Sequence, residues 1–157
     1  MADPIQLLRE QHKEVLDLFD QFKKAGDNRK KKSIVDNASL KLMMHTQLEE
    51  DSFYPAIRSQ GGEAEDLVDE AIEEHHVVKM LISELADMKP QYPRYDAKFM
   101  VMAENVRHHV QEEESQLFPA ARKMGDERLM KLGDEMSGNW RKIEQEVTKS
   151  RGKRRAA

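Results

Sequence analysis

Apolar residues recur at intervals of three and four along almost the whole chain, a spacing that places them on one face of an α-helix. Seven glycines and five prolines are the main breaks in 157 residues, so long helices can form between them. The first helix begins after the N-cap Asp3 with Pro4 in its first turn, and the fourth ends before Gly125. The pattern predicts an all-α protein with five helices.

Short connections join the first four helices, which favours antiparallel neighbours. We therefore expect an up-down-up-down four-helix bundle over about residues 4–124, with an additional helix at about 127–148 that covers it. Together they would form one helical domain over residues 1–148, and a basic disordered tail would follow at 149–157. The tail holds five basic residues and no acid, whereas the other 148 residues hold 21 basic and 30 acidic side chains. An acidic body does not favour nucleic-acid binding by the folded domain.

Several classes of protein are excluded by composition. The chain contains no cysteine, which excludes a disulfide scaffold, a thiolate-ligated metal and thiol catalysis. Its longest apolar run, residues 99–103, is too short to cross a membrane. The segment Met1-Ala2-Asp3-Pro4 lacks the basic and apolar regions of a secretory signal, so we expect a cytoplasmic protein.

Six polar residues occupy positions in the apolar stripes that should face the core. The second and fourth helices each carry a His and a Glu at spacing i, i+4, which puts both side chains on one face. Buried carboxylates without a partner cost several kcal/mol each, and no arginine shares these stripes. Metal ligation would use the imidazoles and also compensate the carboxylates. The six are His12, His45, Glu49, His75, His109 and Glu113.

An internal repeat relates these residues. The segment from His45 to Arg58 matches the segment from His109 to Arg122 at seven of 14 positions, with an offset of 64. His12 and His75 are related by an offset of 63. Two copies of one helical hairpin, packed about a pseudo-two-fold axis, would give two metal ions, each with two histidines, and two bridging carboxylates. Mixed His and carboxylate ligands in a bundle favour redox-active iron or manganese, and we expect two Fe ions with an oxo or hydroxo bridge.

The ordered set His12, His45-x-x-x-Glu49, His75, His109-x-x-x-Glu113 resembles the hemerythrin-like family, also called the HHE cation-binding domain. The resemblance covers about residues 4–124. It implies a non-haem di-iron centre that reacts with oxygen or related small molecules. It also implies that the first two histidines serve one iron, the last two serve the other, and both glutamates bridge.

The sequence departs from the oxygen-carrying members of that family. Carriers place a further His one turn after the equivalent of His75, where this chain has Lys79. They also have His-x-x-x-x-Asp where this chain has His109-x-x-x-Glu113. We expect the missing histidine to leave an open or water-filled coordination position, which favours redox turnover over reversible oxygen carriage. Lys79 either reaches a metal-bound water or peroxide or extends its amine to solvent.

Other residues near the stripes carry weaker signals. We interpret His76 and His108 as surface or outer residues, since a register through His108 and Glu112 would break the repeat. Glu50 and Glu114 also repeat, and they either accept hydrogen bonds from ligand histidines or bind metal directly. Tyr54 is interpreted as a core aromatic residue rather than a redox tyrosine.

The leading functional hypothesis is a small di-iron protein, related to oxidative stress, that reacts with O2, H2O2, nitric oxide or Fe(II). Peroxide decomposition and ferroxidase activity are the enzymatic forms of this hypothesis, whereas reversible O2 binding is an alternative. A second class is an iron- or oxygen-responsive sensor or binding module that acts through the fifth helix or the tail, and a third is a plain metal-binding protein. We expect no membrane partner and a monomer or weak dimer.

Overall fold

The computed structural model describes residues 3–157, and every regular element in this range is helical, as the sequence predicts. Met1 and Ala2, where the predicted domain starts, lie outside the described residues. The helices are α1 (Pro4–Lys24), α2 (Asn28–Leu48), α3 (Tyr54–Arg58), α4 (Glu63–Ala86), α5 (Tyr95–Glu112), α6 (Phe118–Arg122) and α7 (Asp126–Ala156). Two π-helical turns join them: the first (Glu49–Phe53) links α2 to α3, and the second (Glu113–Leu117) links α5 to α6.

The helix ends follow from local chemistry. Asp3 accepts a hydrogen bond from the backbone N–H of Ile5, and Asp27 accepts one from Lys30, so both aspartates cap the helices that follow. Gly62 and Gly125 precede α4 and α7 with φ of 59° and 86°, in the left-handed region that glycine adopts without strain. The predicted connections therefore lie where the sequence places them.

The helices form four long rods, namely α1, α2 continued by the first π turn and α3, α4, and α5 continued by the second π turn and α6. Each rod packs against two others in a bundle. The rod of α1 contacts α2 and α5, and α4 also contacts α2 and α5. With short loops between consecutive rods, this arrangement is the up-down-up-down bundle that the sequence predicts. The additional helix α7 packs against α1, α2 and the first π turn, and so covers one side of the bundle.

The core consists of two apolar regions. One contains Phe19, Phe22 and Phe99, and the other contains Phe53 and Phe118 together with the buried residues of α7. Between them lies a layer of buried histidines and glutamates. Apolar packing on both sides excludes water from this layer and fixes the rods that carry it.

A proline inside a helix removes a backbone hydrogen-bond donor and commonly kinks or ends the helix, and Pro55 and Pro119 lie inside the helical pattern. Each rod instead continues through a π turn placed just before its proline, and the N–H of Tyr54 bonds to the carbonyl of Glu49 five residues earlier. A proline has no N–H to offer the carbonyl four residues before it, so the wider turn adapts the helix to that loss. The same occurs at Phe118 and Glu113.

The C-terminal helix is longer than predicted. Residues 149–156, which the sequence analysis assigned to a disordered tail, form the last turns of α7. Lysine and arginine are good helix formers, and positive charge near a helix C-terminus is favourable, so nothing in this segment ends the helix. The basic residues therefore lie on a helix rather than on a loose chain end.

Within the described part of the chain, no helix combines the length and the apolar character that a membrane span requires.

Candidate metal centre

All six residues singled out by the sequence are buried in one layer of the bundle. Helices α1, α2, α4 and α5 supply one histidine each, and each π turn supplies a glutamate as its first residue. The side chains are His12, His45, His75, His109, Glu49 and Glu113, and none is more than 6% exposed. The structure thus brings together every residue of the predicted ligand set.

Glu49 lies between two pairs of histidines. Its Oε1 is 3.0 Å from His45 Nε2 and 3.9 Å from His12 Nε2. Its Oε2 is 3.0 Å from His75 Nε2. One carboxylate thus presents one oxygen to each pair, which is the arrangement of a bridging ligand.

Glu113 repeats this arrangement from the opposite rod. Its Oε1 is 3.8 Å from His12 Nε2, and its Oε2 is 3.0 Å from His109 Nε2. We call the space around His12, His45 and the two Oε1 atoms the first pocket. The space around His75, His109 and the two Oε2 atoms is the second pocket. Nitrogen and oxygen ligands about 2.1 Å from one ion lie about 3 Å from each other, so these separations suit a metal ion.

Each histidine is held by a partner on its outer side. Nδ1 of His12 donates to Glu114 Oε1 at 2.9 Å, and Nδ1 of His75 donates to Glu50 Oε1 at 2.8 Å. These contacts confirm the prediction that Glu50 and Glu114 accept hydrogen bonds from ligand histidines. Because a carboxylate accepts the proton on Nδ1, the Nε2 atom of each ring faces the pockets.

The other two outer partners were missed by the sequence analysis. Gln11 Oε1 accepts from His45 Nδ1 at 2.7 Å, and Glu74 Oε2 accepts from His109 Nδ1. Gln11 and Glu74 are separated by 63 residues, the same offset as His12 and His75. Each directly precedes one of those histidines in the sequence, and this repeated position is the signal that would have identified them.

Tyr54 is a buried core aromatic, as predicted, and its hydroxyl also belongs to the site. Its Oη lies 3.0 Å from Glu113 Oε2, 3.2 Å from Glu49 Oε2 and 3.1 Å from His75 Nε2. It also lies 3.4 Å from His109 Nε2, so the hydroxyl sits in the middle of the second pocket. The coordination position that we expected to be open or water-filled therefore has a protein hydroxyl beside it.

The first pocket has no equivalent hydroxyl. Phe118 occupies the position that the repeat relates to Tyr54. The Phe118 ring stacks on the His12 ring with centroids 5.9 Å apart. Four atoms around this pocket are buried and make no hydrogen bond, namely His12 Nε2, His45 Nε2, Glu49 Oε1 and Glu113 Oε1. Burying four polar atoms without hydrogen bonds around one point costs folding free energy unless a ligand satisfies them. Two imidazole nitrogens and two carboxylate oxygens are atoms that bind a cation.

The pKa values differ between the two pockets. Burial, reinforced by His45, lowers the pKa of His12 to about 4. Burial also opposes charge on His109, but hydrogen bonds with Glu113 and Glu74 outweigh it and raise the pKa of His109 to about 10. The His12 ring is thus neutral at pH 7. His109 is protonated at that pH, so a cation that enters the second pocket displaces the proton of His109.

The two carboxylates also perturb each other. Burial and the neighbouring Glu49 raise the pKa of Glu113 to about 7. Burial opposes ionisation of Glu49 as well, but His45 and His75 outweigh it, so the pKa of Glu49 lies well below its usual range. Strongly displaced pKa values in one buried cluster are typical of functional sites.

Lys79 lies on the outer side of the site. Its Nζ contacts Glu50 Oε1 at 2.8 Å, the same oxygen that accepts from His75 Nδ1. The Lys79 side chain is about one-third exposed, which favours the alternative in which its amine extends outward. His76 and His108 are exposed, as predicted.

A helical bundle with inward His and Glu residues on facing rods defines a class of metal-binding bundle proteins. The sequence matches the Hemerythrin HHE cation binding domain over residues 3–121. The chain therefore belongs to the hemerythrin HHE cation-binding domain family, which confirms the resemblance identified from the sequence.

Two known proteins are similar to the chain. A crystal structure of a hemerythrin HHE cation binding domain-containing protein from Mycobacterium kansasii has a TM-score of 0.82 and 22% identity, and the match covers 94% of this chain and 91% of that one. This likeness shows a shared fold. A protein from Nostoc sp. named DNA nickase is 28% identical over 142 residues, which are 90% of this chain. The chain spans 40% of the length of that relative.

Proposed function

We propose that the protein holds two iron ions and uses them to react with dioxygen or hydrogen peroxide with turnover. His12 and His45 would bind one ion in the first pocket, and His75 and His109 would bind the other in the second. Glu49 and Glu113 would bridge the two. This is the ligand set that the sequence predicts, with Tyr54 added to the second pocket.

The observation that carries the proposal is the way in which the two carboxylates divide their oxygens. In both Glu49 and Glu113, Oε1 faces the first pocket and Oε2 faces the second. A single ion would need only one pocket, and it would leave the histidines of the other without a role. Two pockets that share two carboxylates favour two ions.

The donor types favour iron over zinc. Two imidazoles and two carboxylate oxygens surround each pocket, and a phenol oxygen is added to the second. Burial and the two glutamates hold the pKa of Tyr54 well above its usual value, so its hydroxyl keeps its proton until a cation replaces it. Hard oxygen donors mixed with imidazole are typical of redox-active iron. Bound iron would supply the electrons that reduce one molecule of hydrogen peroxide to water, and it would recover them from a second peroxide molecule, which is oxidised to dioxygen.

An apolar cavity limits what reaches the centre. It has a volume of about 20 Å³ and is lined by the four histidines together with side chains such as Val15, Val78 and Val106. This volume is about that of one small molecule, and the valine walls offer no hydrogen bonds. Access through this cavity therefore favours molecules of the size of dioxygen or hydrogen peroxide.

The test is oxygen measurement with iron-loaded protein mixed with hydrogen peroxide. We expect sustained O2 evolution, and we expect its loss in His45→Ala, with His76→Ala as the matched control because His76 is exposed. A stable coloured adduct that forms when the reduced protein meets oxygen, and that disappears when oxygen is purged, would instead make the protein a carrier.

A second candidate function is action on nucleic acid, which the Nostoc relative's name and the basic end of α7 favour. Lys149, Arg151, Lys153, Arg154 and Arg155 are all exposed on the last turns of this helix. Exposed basic residues attract phosphate backbones in a salt-dependent way. Relaxation of supercoiled plasmid by the iron-loaded protein, lost when these residues become alanine, would support this candidate, and intact plasmid would reject it.

A further inference from the structure

A second cluster of metal-ligating side chains lies outside the buried centre. His108 and Glu112 are one turn apart on α5, and Glu74 faces them from α4. His108 Nε2 is 3.1 Å from Glu112 Oε1, and one ligand atom of each of the three residues lies within 4.8 Å of the others. His108 is exposed and the two glutamates are half-buried, so solvent reaches the cluster. We call these three residues the rim cluster.

The rim cluster is connected to the buried centre. Glu74 accepts a hydrogen bond from His109 Nδ1, so one carboxylate belongs to both groups. A cavity of about 10 Å³ lies between them, with Glu74 and Glu112 on its outer side and His109 and Glu113 on its inner side. Glu113 also turns its Oε2 toward His109 in the second pocket, at 3.0 Å from His109 Nε2. The cavity thus lies between a solvent-exposed cluster and the buried centre.

The charge along this connection favours a cation. Glu70 adds a fourth carboxylate to those of Glu74, Glu112 and Glu113 in the cavity lining, and no lysine or arginine is part of that lining. Neighbouring carboxylates repel each other, and a cation between them removes the repulsion. One imidazole nitrogen and two carboxylate oxygens, with water completing the shell, suit Fe(II), Mn(II) or Zn(II).

The internal repeat shows that the hairpin fold does not require the residues of the rim cluster. The positions equivalent to Glu74, His108 and Glu112 in the first half of the chain are Gln11, Met44 and Leu48. These three side chains offer no carboxylate or imidazole. Both halves hold their inner histidines in the same way, yet only the second half carries ligands at its rim.

We infer that Glu74, His108 and Glu112 form a third cation site, which captures a divalent transition-metal ion from solution and passes it through the adjoining cavity to the buried centre. Capture stands on the rim cluster itself, whereas delivery rests on the proposed function. The ion enters with its water shell at the rim. It exchanges water for the carboxylates that line the cavity as it moves inward.

The test of capture is calorimetric titration of iron-loaded protein with Zn(II). We expect the wild type to bind one further ion per chain, and we expect His108→Ala and Glu112→Gln each to weaken that binding about ten-fold or more. His76→Ala is the matched control, since it removes an exposed histidine of α4 outside the cluster. Absence of Zn(II) binding beyond the buried centre, or equal binding by His108→Ala and His76→Ala, would overturn the inference.

The test of delivery is the rate of iron uptake by metal-free protein mixed anaerobically with Fe(II). We expect His108→Ala to load several-fold more slowly than the wild type and His76→Ala, and to reach the same final iron content. Equal loading rates overturn delivery. If the chain captures Zn(II) but its buried centre takes up no iron, the proposed function alone is rejected. If the centre takes up iron but the chain captures no Zn(II), this inference alone is rejected.

Discussion

The hydroxyl of Tyr54 occupies the centre of the second pocket because of the local helix geometry. In an α-helix the residue on the same face as Glu49 would be Phe53, four positions later. The π turn adds one residue per turn and brings position i+5 to that face, which is Tyr54. The six ligands could be predicted because they follow regular helical spacing. Tyr54 could not, because its position depends on a turn that the apolar pattern does not reveal.

Replacing Tyr54 with Phe should weaken metal binding in the second pocket. The change removes one oxygen donor and makes this pocket resemble the first, which has Phe118 at the equivalent position. We expect affinity for one of the two ions to fall about ten-fold or more, together with loss of the visible absorption that a phenolate gives with ferric iron. Iron retained after a timed chelator challenge measures this. Unchanged retention and an unchanged spectrum would exclude Tyr54 as a ligand.

Lys79 should matter little for the metal centre. Its amine pairs with Glu50 at the outer edge of the site, where both side chains are about one-third exposed. Partly exposed pairs of this kind contribute about 0–1 kcal/mol. We expect Lys79→Met to retain the full metal content and to change the free energy of unfolding by less than about 1 kcal/mol. Chemical denaturation and metal analysis check both expectations, and a loss of one ion per chain would contradict them.

At the scale of helices, periodicity predicted the rods well and their ends less well. The apolar residues that recur at a spacing of three and four on α1, such as Ile5, Leu8, Val15 and Phe19, are buried, since this spacing leaves a single apolar face. The end of α7 was predicted too early, because the change from apolar to basic composition was interpreted as a change of structure. Its last turns stay helical while their side chains are exposed.

The packing of α7 on the bundle can be tested with two methionines. Met136 is fully buried among the residues of the second apolar region, whereas Met80 on α4 is 53% exposed. Because a buried methionine leaves a cavity when it is truncated, Met136→Ala should lower the free energy of unfolding by about 2–5 kcal/mol. Met80→Ala, with the same change of side chain, should have an effect near zero. Similar losses in both variants would mean that α7 does not pack as described.

The whole molecule is a pseudo-symmetric pair of hairpins with chemically different halves. The repeat in the sequence predicted the two-fold arrangement of the ligands, and each of the four inner histidines meets its outer partner according to that symmetry. The differences lie at single positions, such as Tyr54 against Phe118 and Glu74 against Gln11. A repeat alignment shows that these residues differ, but only the packed structure shows that each one contacts the centre.

Removal of metal should destabilise the whole bundle. The buried carboxylates repel each other, and a cation that binds only the folded state stabilises it by about 4 kcal/mol when free metal is about 1,000 times Kd. We therefore expect a lower midpoint of thermal unfolding for metal-free protein than for iron-loaded protein, measured by circular dichroism. The difference should shrink in Glu113→Ala, which lacks one of the two buried carboxylates. Coincident curves for the two wild-type forms would contradict a core metal site.

The central claim is that one chain encloses two iron ions between two shared carboxylates. The most direct measurement is the iron content of wild-type protein that has been reconstituted, freed of loosely bound metal by a brief chelator wash and separated by gel filtration. We predict two iron ions per chain, and a lower number in Glu49→Ala. A value of one or none in the wild type would contradict it.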